Sequence, residues 1–291
     1  MTIQSLSILV PGGCLNNCYF CVSKMDNFKE RYNNHIQTTK EDMTNAYKLR
    51  MSFVRESNCN VVILTGQGEP LLNRKFLSFF AQMNKKLKPS PFKCIEIQTS
   101  GVTLDDEYLK FLKEKVNITT ISLSVSDIFS SSSNTEYNRT KKGYEVDIDK
   151  LCDKIKRHNF NLRLSLNMTD KYDKVEPYKI FERAGKLSAD QITFRVLYTS
   201  SYSDCPQNKW IKEHGTNTQK LKEITNFIEK NGIKLNILPF GATQYSVNGI
   251  STLVDDDSMN GKLIKGVSKY LILRPNCKLY THWNDPASLV F

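Results

Sequence analysis

The stretch LSILVPGGCLNNCYFC, residues 6–21, places three cysteines directly after a run of apolar and β-branched residues. Residues 6–10 have the composition of a buried strand, and the glycines at 12 and 13 indicate a turn immediately after it. The cysteines follow at positions 14, 18 and 21, with C-x3-C-x2-C spacing. Because three thiols lie within eight residues, the sequence predicts a metal site at the end of the first strand.

Outward from this stretch, strand-like runs alternate with amphipathic helical stretches. Strands are predicted at 6–10, 61–65, 94–99, 119–125, 162–168 and 192–198, and helices at 40–56, 74–87, 105–115, 147–157, 175–187 and 218–230. Six successive β-then-α units predict an α/β fold, either a doubly wound parallel sheet or a partial barrel, with its helices outside. In both architectures ligands bind at the C-terminal ends of the strands.

The alternation stops near residue 231, where a polar stretch punctuated by glycines begins. Residues 270–273 and 278–281 flank Pro275-Asn276 and predict a hairpin. We expect residues 1–235 to form the main domain and residues 236–291 a small β-rich extension that caps the open end of the sheet. The serine run at 130–133 predicts a flexible loop.

The charge of the chain is strongly basic, with 41 Lys and Arg against 30 Asp and Glu, a formal charge of +11 and a pI near 9.1. This balance suits an anionic partner such as RNA, a nucleotide or an acidic peptide. The basic residues are dispersed, so a solvated basic surface is the alternative. An N-terminus without a signal-peptide pattern, and the lack of any run of 18 apolar residues, predict a cytoplasmic protein without a membrane partner.

The spacing of the three clustered cysteines distinguishes between a zinc site and an iron–sulfur cluster. A zinc site would usually show two ligand pairs, and no second pair stands at matching spacing. Three thiolates on one loop would leave one iron of a four-iron cubane without a protein ligand. An amino group and a carboxylate of a small molecule can chelate such an open iron.

A second motif, LTGQGEP at residues 64–70, directly follows the second predicted strand. Glycines at 66 and 68 let the backbone approach a ligand closely. The carboxylate of Glu69 can pair with an ammonium group. The motif therefore predicts a binding loop beside the cysteines.

Together, the cysteine spacing with Phe20 before the third cysteine and the 66–70 element resemble the radical S-adenosylmethionine (SAM) superfamily. Gln67 stands where the family's GGEP element has its second glycine. The resemblance covers roughly residues 5–200 and implies a partial (β/α)6 barrel. It also implies that a 4Fe–4S cluster on Cys14, Cys18 and Cys21 cleaves SAM reductively to a 5′-deoxyadenosyl radical, which abstracts a hydrogen atom from a substrate.

The resemblance further implies which residues contact SAM. Glu69 would bind the amino group, Arg163 the carboxylate, and Ser165 or Asn167 the ribose. Residues 195–197, Val196 among them, would lie near the adenine. For the polar residues of the fifth strand, a structural hydrogen-bond network is the alternative. The full predicted cofactor-binding set is Tyr19, Phe20, Gly66, Gln67, Gly68, Glu69, Thr99, Ser100, Ser122, Ser124, Arg163, Ser165, Asn167 and Val196.

Cys205 and Cys277 are predicted within reach of the site, where either could act as a catalytic hydrogen-atom donor, with a structural role as the alternative. An electron donor such as flavodoxin or ferredoxin is implied as a partner. The substrate is expected to be an anionic nucleotide or RNA, with a peptide or protein as runner-up. A third possibility is a redox sensor that uses the same cysteines without turnover.

Overall fold

A computed structural model of the chain describes residues 2–25, 40–200, 204–255 and 266–291, so part of the predicted glycine-punctuated stretch lies outside the described residues. Within them the strands form one sheet in the order β11-β10-β1-β2-β3-β4-β5-β6-β9-β8-β7. The strands are β1 Thr2–Val10, β2 Val61–Gly66, β3 Cys94–Thr99, β4 Thr120–Val125, β5 Asn161–Asn167, β6 Gln191–Arg195, β7 Ile233–Ile237, β8 Thr243–Val247, β9 Ile250–Asp255, β10 Val267–Leu273 and β11 Leu279–Tyr280.

Six of the helices in the described residues lie where the pattern predicts helices, and two more were not predicted. The helices are α1 Lys40–Glu56, α2 Arg74–Lys85, α3 Asp106–Phe111, α4 Ser131–Asn138, α5 Ile148–Arg157, α6 Pro177–Lys186, α7 Pro206–His214 and α8 Thr218–Asn231. A π-helical turn at Leu112–Val116 continues α3. Among the described residues, no helix is long and apolar enough to cross a membrane.

The predicted α/β fold with an open parallel sheet is confirmed, and two further strands extend that sheet. Strand β10 pairs in parallel with β1, and β9 pairs in parallel with β6. Eight neighbouring strands are therefore parallel, two more than predicted, with β8 and β7 antiparallel beyond β9. The predicted hairpin is confirmed by the antiparallel pairing of β10 with β11. The domain boundary at residue 235 stays a prediction.

The prediction of a flexible loop at residues 130–133 is wrong, because helix α4 begins there. The Ser130 side chain caps this helix by accepting a hydrogen bond from the Ser133 N–H at 3.2 Å. Side chains later in α4 also fix it, since Asn134 accepts a hydrogen bond from the Ser126 N–H at 2.8 Å. These contacts compensate for the low helix propensity of Ser, Thr and Asn.

Strand β1 shows how the sheet separates core from cavity. Leu6, Ile8 and Val10 belong to the main hydrophobic core. The alternate residues Ser7 and Leu9 face the opposite way and line the central cavity. The sheet thus supports a packed layer on one face and a partly polar interior on the other.

Candidate active site

A cavity of about 520 Å³ lies inside the curved sheet and extends to the C-terminal ends of its strands. This volume is within the range of roughly 300–1,000 Å³ typical of small-molecule sites. Of the predicted site residues, those on its wall are Cys18, Phe20, Cys21, Gly66, Gln67, Arg163, Asn167 and Val196. Those not on its wall are Cys14, Tyr19, Gly68, Glu69, Thr99, Ser100, Ser122, Ser124, Ser165, Cys205 and Cys277.

Backbone hydrogen bonds fix the cysteine loop, residues 14–21, against the end of α4. The Asn17 N–H donates to the Asn138 carbonyl at 3.0 Å, and the Lys141 N–H donates to the Leu15 carbonyl at 2.8 Å. The Cys18 thiol lies 3.9 Å from Asn138 Oδ1. The loop conformation is therefore set by a segment about 120 residues further along the chain.

The three thiols lie close enough to influence one another. Burial, followed by the neighbouring thiols of Cys21 and Cys14, raises the pKa of Cys18 to about 12. Iron binding to this loop would therefore have to displace protons. Within the described parts of the chain, no three Cys, His, Asp or Glu side chains converge as a single ion requires. A cubane binds each thiolate through a different iron, so the thiolates that hold it need not converge on one point.

The loop at 66–70 packs directly against the glycines that precede the cysteines. The Glu69 N–H donates to the Gly13 carbonyl at 2.8 Å. A Cβ on Gly68 would lie only 2.1 Å from the Gly13 oxygen, so a side chain there would force the two loops apart. Glycine at position 68 is thus required for the close approach of the two predicted binding loops.

The Glu69 carboxylate is buried and accepts four hydrogen bonds from its own chain. Its Oε1 accepts from the Thr99 hydroxyl at 2.6 Å and from the Leu71 N–H at 3.2 Å. Its Oε2 accepts from the Ser100 N–H at 2.9 Å and from the Ser100 hydroxyl at 2.7 Å. Because a carboxylate offers about four acceptor positions, a SAM ammonium would compete with these donors for Glu69.

Arg163 also has partners within the chain. Its guanidinium is 2.5 Å from the buried carboxylate of Glu96 and donates to Gln191 at 2.7 Å. Arg163 stands four residues before Asn167 on β5, roughly 13 Å from the strand's C-terminal end. The predicted contact of Arg163 with the SAM carboxylate stays a prediction that this position does not favour.

A buried polar network joins β4, β5 and α4 near the cysteine loop. Asn167 Nδ2 donates to the hydroxyls of Ser124 at 3.1 Å and Ser126 at 3.2 Å. The Ser126 hydroxyl donates in turn to Asn138 Oδ1 at 2.8 Å. Sequence reasoning missed Ser126 and Asn138, because Asn138 lies in a segment of low helix propensity and its partners are distant in the chain.

Helix α7, which the sequence did not predict, covers the aromatic residues of the cysteine loop. Tyr19 stacks on Trp210 with ring centroids 5.3 Å apart, and Phe20 lies 5.7 Å from the same ring. Arg139 follows directly after α4, and its carbonyl accepts a hydrogen bond from the Asn17 N–H of the cysteine loop. Its guanidinium lies 4.9 Å from the Tyr19 ring centroid. Trp210 is therefore a site residue that the sequence analysis overlooked.

Cys205 and Cys277 are not brought to the cavity. Cys205 is buried with Met25 and Ile211, and its thiol lies 2.9 Å from the Gln207 side-chain oxygen. Cys277 is buried in the main core on the helix-covered side of the sheet, where burial raises its pKa. Cys205 nevertheless packs in the same cluster as Phe20, which lines the cavity, and the hydrogen-donor role of both cysteines stays a prediction.

The C-terminal strands contribute to the cavity wall through Tyr270, Arg274 and Trp283. Arg274 is buried and donates a hydrogen bond to the Trp283 carbonyl oxygen. Its guanidinium also lies 5.5 Å from the Tyr280 ring centroid. The extension therefore supplies aromatic and cationic groups to the same cavity as the cysteine loop.

Comparison with known proteins agrees with this architecture. The model of the Radical SAM superfamily matches residues 8–169. Native anSMEcpe with bound AdoMet and Cp18Cys peptide has 16% sequence identity, a TM-score of 0.56, and an alignment covering 79% of this chain and 60% of its own. SuiB from Streptococcus suis has 12% identity, a TM-score of 0.57, and coverage of 96% and 60%.

Coproporphyrinogen III oxidase (HemN) from Escherichia coli, described as a radical SAM enzyme, has 14% identity and a TM-score of 0.55, with coverage of 98% and 66%. The chain spans about 60% of the length of the first structures that it matches. No curated protein sequence matches this chain.

The open parallel sheet with helices outside it is the fold that this chain shares with these solved structures. The chain belongs to the radical SAM superfamily. Enzymes of this family use a 4Fe–4S cluster and SAM, and they need an electron donor and a substrate.

Proposed function

We propose that this protein binds a 4Fe–4S cluster through Cys14, Cys18 and Cys21 and cleaves SAM reductively to start hydrogen abstraction from a substrate. The observation that carries the proposal is the placement of Cys18 and Cys21 on the wall of the same cavity as Gly66 and Gln67. When bound, the cluster would supply the electron that breaks a carbon–sulfur bond of SAM. The chain's own residues hold the ligands in place and exclude water.

The experiment that tests this proposal is SAM cleavage by the anaerobically reconstituted, dithionite-reduced protein. Formation of 5′-deoxyadenosine and methionine is expected. A reduced, cluster-containing protein that binds SAM without cleaving it would instead support the redox-sensor alternative. Loss of cleavage in the Cys14, Cys18 and Cys21 triple alanine variant would link the reaction to the proposed ligands.

We propose an anionic substrate, a nucleotide or RNA. The charged side chains on the cavity wall are four cations, Arg163, Arg195, Lys269 and Arg274, and one carboxylate, Asp255. This excess of positive charge, together with the overall charge of +11, supports an anion. The extension at residues 236–291 would act as a cap over this substrate.

A peptide substrate is the second candidate, supported by the edge of the sheet. Strand β7 is the last strand of the sheet, and Ile233, Leu235 and Ile237 on it are exposed. An extended peptide can add to such an edge by backbone pairing. The partner that reduces the cluster is proposed to be flavodoxin or ferredoxin, and the eight free cysteines support a reducing, cytoplasmic location.

A further inference from the structure

Arg195 occupies a distinctive place on the cavity wall. It is the last residue of β6, at the strand end where ligands bind in parallel sheets. Its neighbours in register are Asn167 on β5 and Asp255 on β9, and both line the cavity beside it. Gln191 and Thr193, at alternate positions of the same strand, line the cavity together with Arg195.

The guanidinium of Arg195 has no acceptor in the parts of the chain that the structure describes. Its Nε is buried without a hydrogen-bond partner. The other cations nearby are paired, since Arg163 contacts Glu96 at 2.5 Å and Lys269 contacts Asp255 at 3.2 Å. A partly desolvated cation without an acceptor is unfavourable, and an anionic ligand would compensate for this cost.

The carboxylate of SAM does not account for this cation. SAM carries two cationic groups and one carboxylate, and its amino group and carboxylate could chelate the open iron of a cluster on the cysteine loop. Strand β2, which leads into the 66–70 loop, and β6 stand four strands apart in the parallel part of the sheet. Arg195 therefore lies across the cavity from the proposed methionine end of SAM.

From these observations we infer that Arg195 binds a carboxylate or phosphate group of the substrate. This inference deepens the proposed function, on which it rests, by naming the substrate's recognition group and the residue that selects it. Arginine suits the role because its planar fork binds such anions through two hydrogen bonds. Asp255, which faces the same space, is held by Lys269 and leaves Arg195 available.

The test is calorimetric titration of inorganic phosphate and of propionate into cluster-loaded protein saturated with SAM, which needs no turnover. The wild type should bind at least one of these probes, and Arg195→Gln should weaken that binding roughly tenfold to a hundredfold. Arg195→Lys keeps the charge and should retain most of the affinity. Arg157→Gln, on the exposed face of α5, controls for anions held by the basic surface.

Three outcomes would overturn the inference: a wild type that binds neither probe, equal binding by wild type and Arg195→Gln, or a tenfold loss of SAM affinity in Arg195→Gln. The last result would assign Arg195 to the SAM carboxylate. Iron content and circular dichroism of both Arg195 variants verify that they are folded. Because SAM cleavage is measured separately, failure of the proposed function would be recognised independently.

Discussion

At the scale of single residues, the three cysteines of the loop carry the most direct prediction. Changing Cys14, Cys18 and Cys21 together to Ala should abolish iron and sulfide binding, because the variant retains no thiol on the loop. Metal and sulfide analysis after anaerobic reconstitution is the measurement, with about four irons per chain expected for the wild type.

The matched control removes the same number of thiols elsewhere in the chain. Cys59 and Cys152 are buried in the core and Cys94 is exposed at the start of β3. The triple alanine variant at these positions should keep its full iron content. Equal iron loss in both triple variants would contradict the assignment of the cluster to the loop.

Mutation of Glu69 should have two effects that can be measured separately, one on stability and one on SAM binding. Glu69→Ala leaves the Leu71 and Ser100 N–H groups and two hydroxyls without their acceptor, so the free energy of unfolding should fall by about 3 kcal/mol. SAM affinity should fall roughly tenfold to a hundredfold, while the cluster content stays close to that of the wild type. Chemical denaturation and SAM titration measure the two effects.

The combined Thr99→Val and Ser100→Ala variant distinguishes anchoring from direct binding by Glu69. It removes both hydroxyl donors to Glu69 and leaves the carboxylate and its two N–H donors in place. If Glu69 acts by anchoring the 66–70 loop, this variant should lose both stability and SAM affinity. Unchanged SAM affinity in this variant, with a large loss in Glu69→Ala, would favour direct contact with the ammonium group.

At the scale of secondary structure, α7 acts on the cysteine loop through Trp210. Each aromatic pair contributes about 0.5–1.5 kcal/mol, so losing the contacts to Tyr19 and Phe20 should raise the open population of the loop roughly tenfold. Trp210→Ala should therefore lose its cluster absorbance faster in air. Tyr178→Ala, an exposed aromatic on α6, is the control, and equal bleaching rates would show that α7 gives no protection.

The elements that the sequence predicted well are those with local signals. Helix α1 matches its predicted bounds, and β3 does too, because apolar periodicity and strand propensity mark them directly. The parallel pairing of β10 with β1 could not be predicted in this way, since it joins residues about 265 apart. The role of Trp210 was equally unpredictable, because Trp210 contacts Tyr19 and Phe20 only in the folded chain.

The same difference between local sequence signals and long-range contacts applies to the residues of the candidate site. The spacing of the cysteines and of Gly66 and Gly68 was sufficient to predict two adjacent loops, and the structure places them in contact. The internal partners of Glu69 and Arg163 were not predictable, because hydrogen bonds between strand ends depend on register. Polar residues on strands that are predicted to be buried therefore indicate reliably that a site is present. They indicate less reliably which of these residues contact the ligand.

At the scale of the whole molecule, one exposed face of the cysteine loop is suited to an electron carrier. Cys14 is exposed there, and Lys24, Arg139, Lys141 and Lys142 surround the loop as exposed cations. Flavodoxins and ferredoxins would approach this face with an acidic surface, and complementary charge raises the rate of encounter. We expect this basic face to be the docking surface of the reductant.

Changing Lys141 and Lys142 together to Glu should weaken binding of oxidised flavodoxin roughly tenfold at low salt, because two attractive contacts become repulsive. The dithionite-driven cleavage of SAM should stay unchanged, since dithionite needs no docking surface. Lys85 and Lys86, an equally exposed pair at the end of α2, form the matched control, and their Glu variant should bind flavodoxin as the wild type does. The difference between the two variants should shrink as salt is added, because exposed charges are screened within about 8 Å at physiological ionic strength. Equal flavodoxin binding by the two variants would show that the carrier docks elsewhere, and a parallel loss of dithionite-driven cleavage would indicate damage to the cysteine loop itself.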